Sequence, residues 1–152
     1  MAFETIYTMT DYYDGPRKGI ADYHGTPHLY ESCWADNELA DDVFLLSPIS
    51  AEVLDWALED WDIWLRWRAA HDAGLTTTDT HPALPADRAR HNELVKLLEP
   101  SLTTNIETAV AAKAQFDFSQ VDESGNRLMK VEWTRVDLDP SRIVRPAYSD
   151  EN

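Results

Sequence analysis

The segment 54–68, LDWALEDWDIWLRWR, constrains the fold of this chain most, because it holds four of the six tryptophans at helical spacing. A tryptophan side chain is costly to leave in water and buries a large area when it is covered. We therefore predict a long helix that organises a hydrophobic core, a subunit interface or a ligand pocket. Ser50 is a suitable N-cap for this helix, which should run to about Ala73 and end at Gly74.

Apolar residues cover an unusually wide arc of this helix. The two apolar rows are Leu54, Leu58, Trp61 and Leu65, and Val53, Trp56, Ile63 and Trp67. A helix that buries a single face needs a narrower arc, so we expect this one to be covered on two sides. A second helix of the chain or another subunit would supply one of these covers.

The chain of 152 residues carries a formal net charge of −15, with 28 acidic residues against 13 lysines and arginines. The charge is spread along the chain, with local peaks at 36–42 and 52–62. Coulomb repulsion disfavours direct binding to nucleic acid or to an anionic membrane, whereas a basic protein would be attracted. The alternative is that the acidic surface serves solubility alone, including solubility in a saline cytoplasm.

The cysteine count and the N-terminus both favour a cytoplasmic protein. Cys33 is the single cysteine, so the sequence has no intramolecular disulfide framework and suits a reducing compartment. The N-terminus, MAFETIYTMTDYY, lacks the basic and apolar regions of a signal peptide. No stretch approaches the roughly 20 apolar residues of a membrane span. We therefore predict neither export nor membrane insertion.

Short β-branched and aromatic runs, separated by turn residues, predict an antiparallel meander in the first part of the chain. The predicted strands are 6–13, 18–23, 28–34 and 43–46. The first turn contains Asp14, Gly15 and Pro16, and the second is 24–27. In the third strand, Leu29, Glu31 and Cys33 share one face, and the other face is more aromatic.

The rest of the chain predicts further helices and a terminal hairpin. Pro85 and Asp87 fit the start of a second helix, which Pro100 should break or kink. A helical pattern resumes over 102–114. The alternating segments 115–121 and 127–136 then predict two paired strands.

Together these elements predict an α+β fold. An antiparallel sheet, made of an N-terminal meander of about four strands and the C-terminal hairpin, would pack against two or three central helices. With 43 % hydrophobic residues, 1–138 should form a single domain. The polar tail 139–152 should be loosely held.

Asp60 is the acidic residue that most suggests a site, because it falls in the row of Val53, Trp56 and Trp67. A carboxylate on an aromatic face must find a cation or hydrogen-bond donors. Arg17 or Arg88 would supply them in a buried ion pair that ties helix to sheet. The alternative is a ligand pocket between the Trp-rich helix and the meander. The predicted lining of that pocket is Arg17, His28, Trp56, Asp60 and Trp64.

Metal-dependent and nucleophilic chemistry have weak support in the sequence. Asp87 and His91 share a helical face, but they make only two ligands, and a third would have to come from Asp60 or His71. The sequence contains no HExxH, GxSxG, GxGxxG or P-loop pattern. Cys33 reads as a small buried thiol. We therefore predict no metal, no cofactor and no catalytic residue.

Three functions remain open at this point. The first is a small acidic cytoplasmic binding protein without catalytic activity, which engages a basic protein partner through its carboxylate-rich surface. The second is a small-molecule-binding protein or enzyme that uses the aromatic pocket. The third is a homodimer whose interface covers one side of the Trp-rich helix.

Overall fold

The computed structural model describes residues 2–12, 15–35, 43–137 and 143–144. The strands are β1 Glu4–Tyr12, β2 Pro16–Tyr23, β3 Thr26–Ala35, β4 Val43–Pro48, β5 Val110–Asp117, β6 Lys130–Arg135 and β7 Ile143–Val144. The helices are α1 Ala51–Asp72 and α2 Arg88–Leu98, and the 3-10 turns Thr78–Thr80 and Pro85–Asp87 lie between them. The structure thus contains both α and β elements. Of the predicted tail 139–152, only Ile143–Val144 is described, and it pairs with the end of β3.

Two compact units make up the chain. Met1–Pro48 and Thr104–Asn152 form one, which we call the barrel unit, and Ile49–Thr103 form the other, which we call the helical unit. In the sequence, the helical unit is an insertion between β4 and β5. Each unit is described by itself below.

The strands β1 to β6 form a closed antiparallel barrel. Each strand pairs with the next one along the chain, and β6 pairs with β1. The predicted open sheet, packed against two or three central helices, is therefore wrong. The closing contact consists of Glu4 with Val131 and Thr5 with Lys130. This contact joins mostly polar residues from opposite ends of the chain, so no periodicity in the sequence predicts it.

The third predicted helix, over 102–114, is also wrong. Residues 103–105 have no regular structure, and β5 begins at Val110. The run of small apolar residues in this region has no period that distinguishes a helix from a strand. In the structure, Ala111 and Ala112 are both buried, on opposite faces of β5.

Aromatic side chains pack the interior of the barrel. All six strands contribute to one buried cluster: Ile6, Ala21, Tyr30, Phe44, Leu46, Ala112, Val131 and Trp133. The rings of Tyr30 and Phe44 lie 5.8 Å apart, and Trp133 lies 5.7 Å from Phe44. The polar groups of two of these rings are hydrogen-bonded. The Tyr30 hydroxyl donates to the carbonyl of Thr8, and the Trp133 indole N–H donates to the carbonyl of Asp22. A six-stranded barrel is narrow enough for side chains to fill it.

The opposite faces of β3, β4 and β5 are buried as well. Cys33, Val43, Leu45 and Ala111 form a second apolar cluster. Cys33 is buried, as predicted for a small thiol. The continuous apolar run of β4 is explained by this burial on both faces.

The hairpin between β2 and β3 has a two-residue turn, His24 and Gly25. Both residues have positive φ, 53° and 75°, which suits the twist of the flanking strands. The carboxylate of Glu4 accepts both amide N–H groups of this turn, at 3.1 and 2.7 Å. The start of β1 therefore fixes the end of the neighbouring hairpin.

In the helical unit, α1 agrees with the predicted Trp-rich helix. The Ser50 side chain accepts the amide N–H of Val53 at 3.2 Å, and Gly74 has the positive φ of a C′ residue. The buried residues of the two helices are Val53, Ala57, Ile63, Trp67, Leu94 and Leu98. Trp67 also donates from Nε1 to Thr80 Oγ1 at 2.8 Å, which ties α1 to the following loop.

Candidate functional site

Ion pairs join α1 to the second half of the helical unit. Arg90 donates hydrogen bonds to both carboxylate oxygens of Glu59, at 2.6 and 2.8 Å. Arg66 makes two bonds of 3.0 Å to Asp87. The guanidinium groups lower the pKa of Glu59 and of Asp87, chiefly through these hydrogen bonds. The charges of Glu59 and Asp87 are therefore neutralised within the helical unit.

Asp60 finds its partner in His91, whose Nδ1 lies 2.6 Å from Asp60 Oδ1. Both side chains are half-buried, with 24 % of Asp60 and 15 % of His91 exposed. The carboxylate was expected to pair with Arg17 or Arg88, but Arg88 donates to the carbonyls of Thr80 and Ala83 instead. The pair therefore ties helix to helix, whereas the sequence suggested a tie between helix and sheet.

Asp87 and His91, the two side chains considered as metal ligands, bind different residues in the structure. Asp87 binds Arg66 and His91 binds Asp60. Within the described residues, no group of three or more histidine, cysteine or acidic side chains is arranged to hold a metal ion.

The five residues of the predicted ligand pocket are divided between the two units. Arg17 lies on β2 and His28 lies buried on β3, where its Nδ1 is 2.7 Å from the carbonyl of Thr26. Trp56, Asp60 and Trp64 lie half-buried on α1. A common pocket for the five stays a prediction.

Trp64 belongs to a row of stacked side chains on α1. Its ring lies 4.9 Å from that of Trp61, nearly parallel to it, and the Arg68 guanidinium lies 5.5 Å from the Trp64 ring centroid. These contacts follow from the spacing of three and four residues, which puts side chains on one helical face.

Within the described part of the chain, fewer carboxylates of the barrel unit than of the helical unit are paired with a lysine or arginine. Among the described residues of the barrel unit, Glu31 alone lies within ion-pair distance of a lysine or arginine, 3.8 Å from Lys18 Nζ. The described carboxylates without such a pair are Glu4, Asp11, Asp22, Glu107, Asp117, Asp122, Glu123, Glu132 and Asp137. The barrel unit also holds most of the excess negative charge of the sequence.

Several of these carboxylates are held by neutral donors. Asp117 accepts the hydroxyl and the amide of Ser119, and these bonds lower the pKa of Asp117. Asp122 accepts the amides of Ser124 and Asn126, at 2.8 and 2.9 Å. N–H and O–H donors favour the ionised form without cancelling its charge. The Asp117 carboxylate therefore stays anionic.

The acidic positions of the β5–β6 hairpin were not singled out by the sequence. The charge peaks fall at 36–42, which lies outside the described residues, and at 52–62, where Glu59 and Asp60 are paired. The signal for the hairpin was the turn composition of Asp122 to Asn126, which reads as a loop and carries no functional label.

Comparison of the sequence with protein-family models found no match, and comparisons with curated proteins and with solved structures found none either. Among the described helices, none combines the length and the apolar character that crossing a membrane requires. The function of the chain is therefore inferred from its own residues.

Proposed function

We propose that this chain is an acidic cytoplasmic binding protein, without catalytic activity, which engages a basic protein partner through the carboxylates of its barrel unit. The observation that supports this proposal is the contrast between the two units. Among the described residues, four carboxylates of the helical unit are paired with arginines, whereas Glu31 is the one carboxylate of the barrel unit paired with a lysine or arginine. The barrel unit, with 18 acidic residues against 8 lysines and arginines, therefore projects a net negative field.

Such a field acts mainly on encounter. It attracts a cationic partner over a distance set by the Debye length, and it raises the association rate more than the final affinity. Nucleic acids and anionic lipids are repelled by the same field. We therefore expect binding that is strong at low ionic strength and weakens as salt is added.

The test uses two matched variants of the full chain. The barrel variant carries Glu107→Gln, Glu123→Gln and Asp137→Asn, and the helical variant carries Glu52→Gln, Glu99→Gln and Asp79→Asn. All six positions are exposed and without an ion pair among the described residues. The two variants have the same net charge, so they separate the place of the charge from its amount.

Each immobilised protein is exposed to a cell extract at low salt, and retained proteins are eluted with rising salt and identified by mass spectrometry. We expect the unmodified chain and the helical variant to retain the same basic protein, and the barrel variant to lose it. Retention of no basic protein would contradict the proposal. So would equal losses in both variants, because net charge alone would then explain retention.

A further inference from the structure

Strand β1 closes the barrel with only part of its length. It pairs with β2 from Ile6 to Tyr12, but with β6 only at Glu4 and Thr5. One more bond follows, from the amide of Ile6 to the carbonyl of Met129 at 3.0 Å. Within the described part of the chain, residues 7–12 therefore have a neighbouring strand on the β2 side alone.

Strand β6 begins at Lys130, the partner of Thr5, so the rest of β1 extends past the end of β6. The register of β1 against β2 shifts between Ile6 and Thr8, and again on either side of Asp11. Each such shift bends and twists a strand. The N–H and C=O groups of residues 7–12 that point away from β2 form an edge. An unpaired edge is a template for a strand from another chain.

The surroundings of this edge are apolar and acidic. Phe118 directly follows β5, Met129 directly precedes β6, and both pack partly exposed on the barrel core, as does Met9 of β1. Burial raises the pKa of the Tyr30 hydroxyl, and the nearby charge of Asp11 raises it further. Asp11 has no ion pair with a described lysine or arginine. An apolar surface thus lies beside an unpaired carboxylate.

We propose that the basic partner binds by adding an extended segment, in which basic and apolar residues alternate, to residues 7–12 of β1. This inference rests on the proposed function and locates the contact. Main-chain hydrogen bonds to the edge supply affinity, and alternate side chains supply specificity. Because successive side chains of a strand point to opposite faces, one set meets the apolar residues while a lysine or arginine of the other set meets Asp11.

The test uses a blocked peptide of about seven residues, the length of an ordinary strand, in which lysine and valine alternate. The control peptide has proline in place of each valine, so that it keeps the charge but loses half of its N–H donors. Calorimetry gives the Kd of each peptide, and hydrogen exchange gives the protection of each amide in the full chain.

We expect the lysine–valine peptide to slow exchange within residues 7–12 and to bind at least about tenfold more tightly than the proline peptide, a difference of a few main-chain bonds. Equal affinities would overturn the edge assignment and leave a purely electrostatic contact, with the proposed function intact. Protection of residues 7–12 without peptide, together with a dimer in sedimentation, would overturn it in favour of a second copy of the chain. Binding of neither peptide at low salt, with no basic protein retained from the extract, would overturn both proposals.

Two variants with the same chemical change locate the charge. Asp11→Asn should raise the Kd of the lysine–valine peptide by up to about fivefold, which is the effect of losing a partly exposed ion pair. Asp137→Asn should leave this Kd nearly unchanged. Equal effects of the two substitutions would place the peptide elsewhere on the barrel unit.

Discussion

Gly19 marks the place where β1 and β2 approach too closely for a side chain. A Cβ atom built on Gly19 would lie 2.1 Å from the carbonyl oxygen of Thr8 and 2.7 Å from the hydroxyl of Tyr30. That hydroxyl donates to the same carbonyl at 2.9 Å. Because Gly19 has no side chain, β1 can approach β2 closely here, and the buried Tyr30 hydroxyl can reach its hydrogen-bond acceptor.

We expect Gly19→Ala to lower the free energy of unfolding by about 2–4 kcal/mol, which combines overpacking with disturbance of one buried hydrogen bond. Urea unfolding measures this change. The control is Gly125→Ala, where nothing lies within 4 Å of the added Cβ and only the positive φ of 85° opposes it. That control should lose about 1 kcal/mol. A Gly19 variant no less stable than the Gly125 variant would contradict the close approach.

Asp60 shows how far the sequence can identify a contact at the scale of single residues. Its position in an aromatic row correctly indicated that the carboxylate needed a partner. The identity of the partner depends on how α2 packs on α1, which no local pattern records. His91 was therefore assigned to Asp87, its neighbour on the same helix, whereas the structure pairs it with Asp60.

At the scale of elements, the two helices of the helical unit are held by charge as well as by apolar contact. The Arg66 bonds lower the pKa of Asp87, which is 3.8 for an ordinary aspartate. A carboxylate whose pKa is lower in the folded state stabilises that state at any pH above its unfolded-state pKa. This contribution disappears as the pH falls through the folded-state pKa. The pair is exposed, so its contribution is that of a surface ion pair.

We expect Asp87→Asn to lower the free energy of unfolding at pH 7 by roughly 0.2–1 kcal/mol, with the difference vanishing at a pH well below 3.8. Urea unfolding at the two pH values checks this. Asp79→Asn, at an exposed position without an ion pair, should have little effect at either pH. A loss at pH 7 that persists in acid would mean that Asp87 acts through packing rather than charge.

The positions of the elements were more predictable than their arrangement. Strands β2, β3 and β4 and helix α1 lie within a few residues of the predicted segments, because turn residues and apolar periodicity are local signals. Pairing between β4 and β5 is hidden by the inserted helical unit, and closure depends on a few residues at Glu4 and Val131. Such contacts between distant parts of the chain decided between an open sheet and a barrel.

At the scale of the whole molecule, the net charge of −15 should act on stability as well as on binding. Like charges repel one another more strongly in a compact state than in an unfolded chain. Where carboxylates have no cationic partner, added salt mainly screens this repulsion. Where they form ion pairs, added salt also weakens attraction. Most described carboxylates of the barrel unit have the first arrangement, and four carboxylates of the helical unit have the second.

We therefore expect the free energy of unfolding to rise by about 1 kcal/mol when NaCl is raised from about 0.01 M to about 0.15 M, a range over which the Debye length falls from roughly 30 to 8 Å. Urea unfolding of the unmodified chain and of the two matched variants measures the effect. Both variants should respond less to salt than the unmodified chain, because their substitutions remove charges that have no ion pair among the described residues and therefore only repel. A salt response of the opposite sign would mean that attraction within ion pairs outweighs the repulsion among the carboxylates.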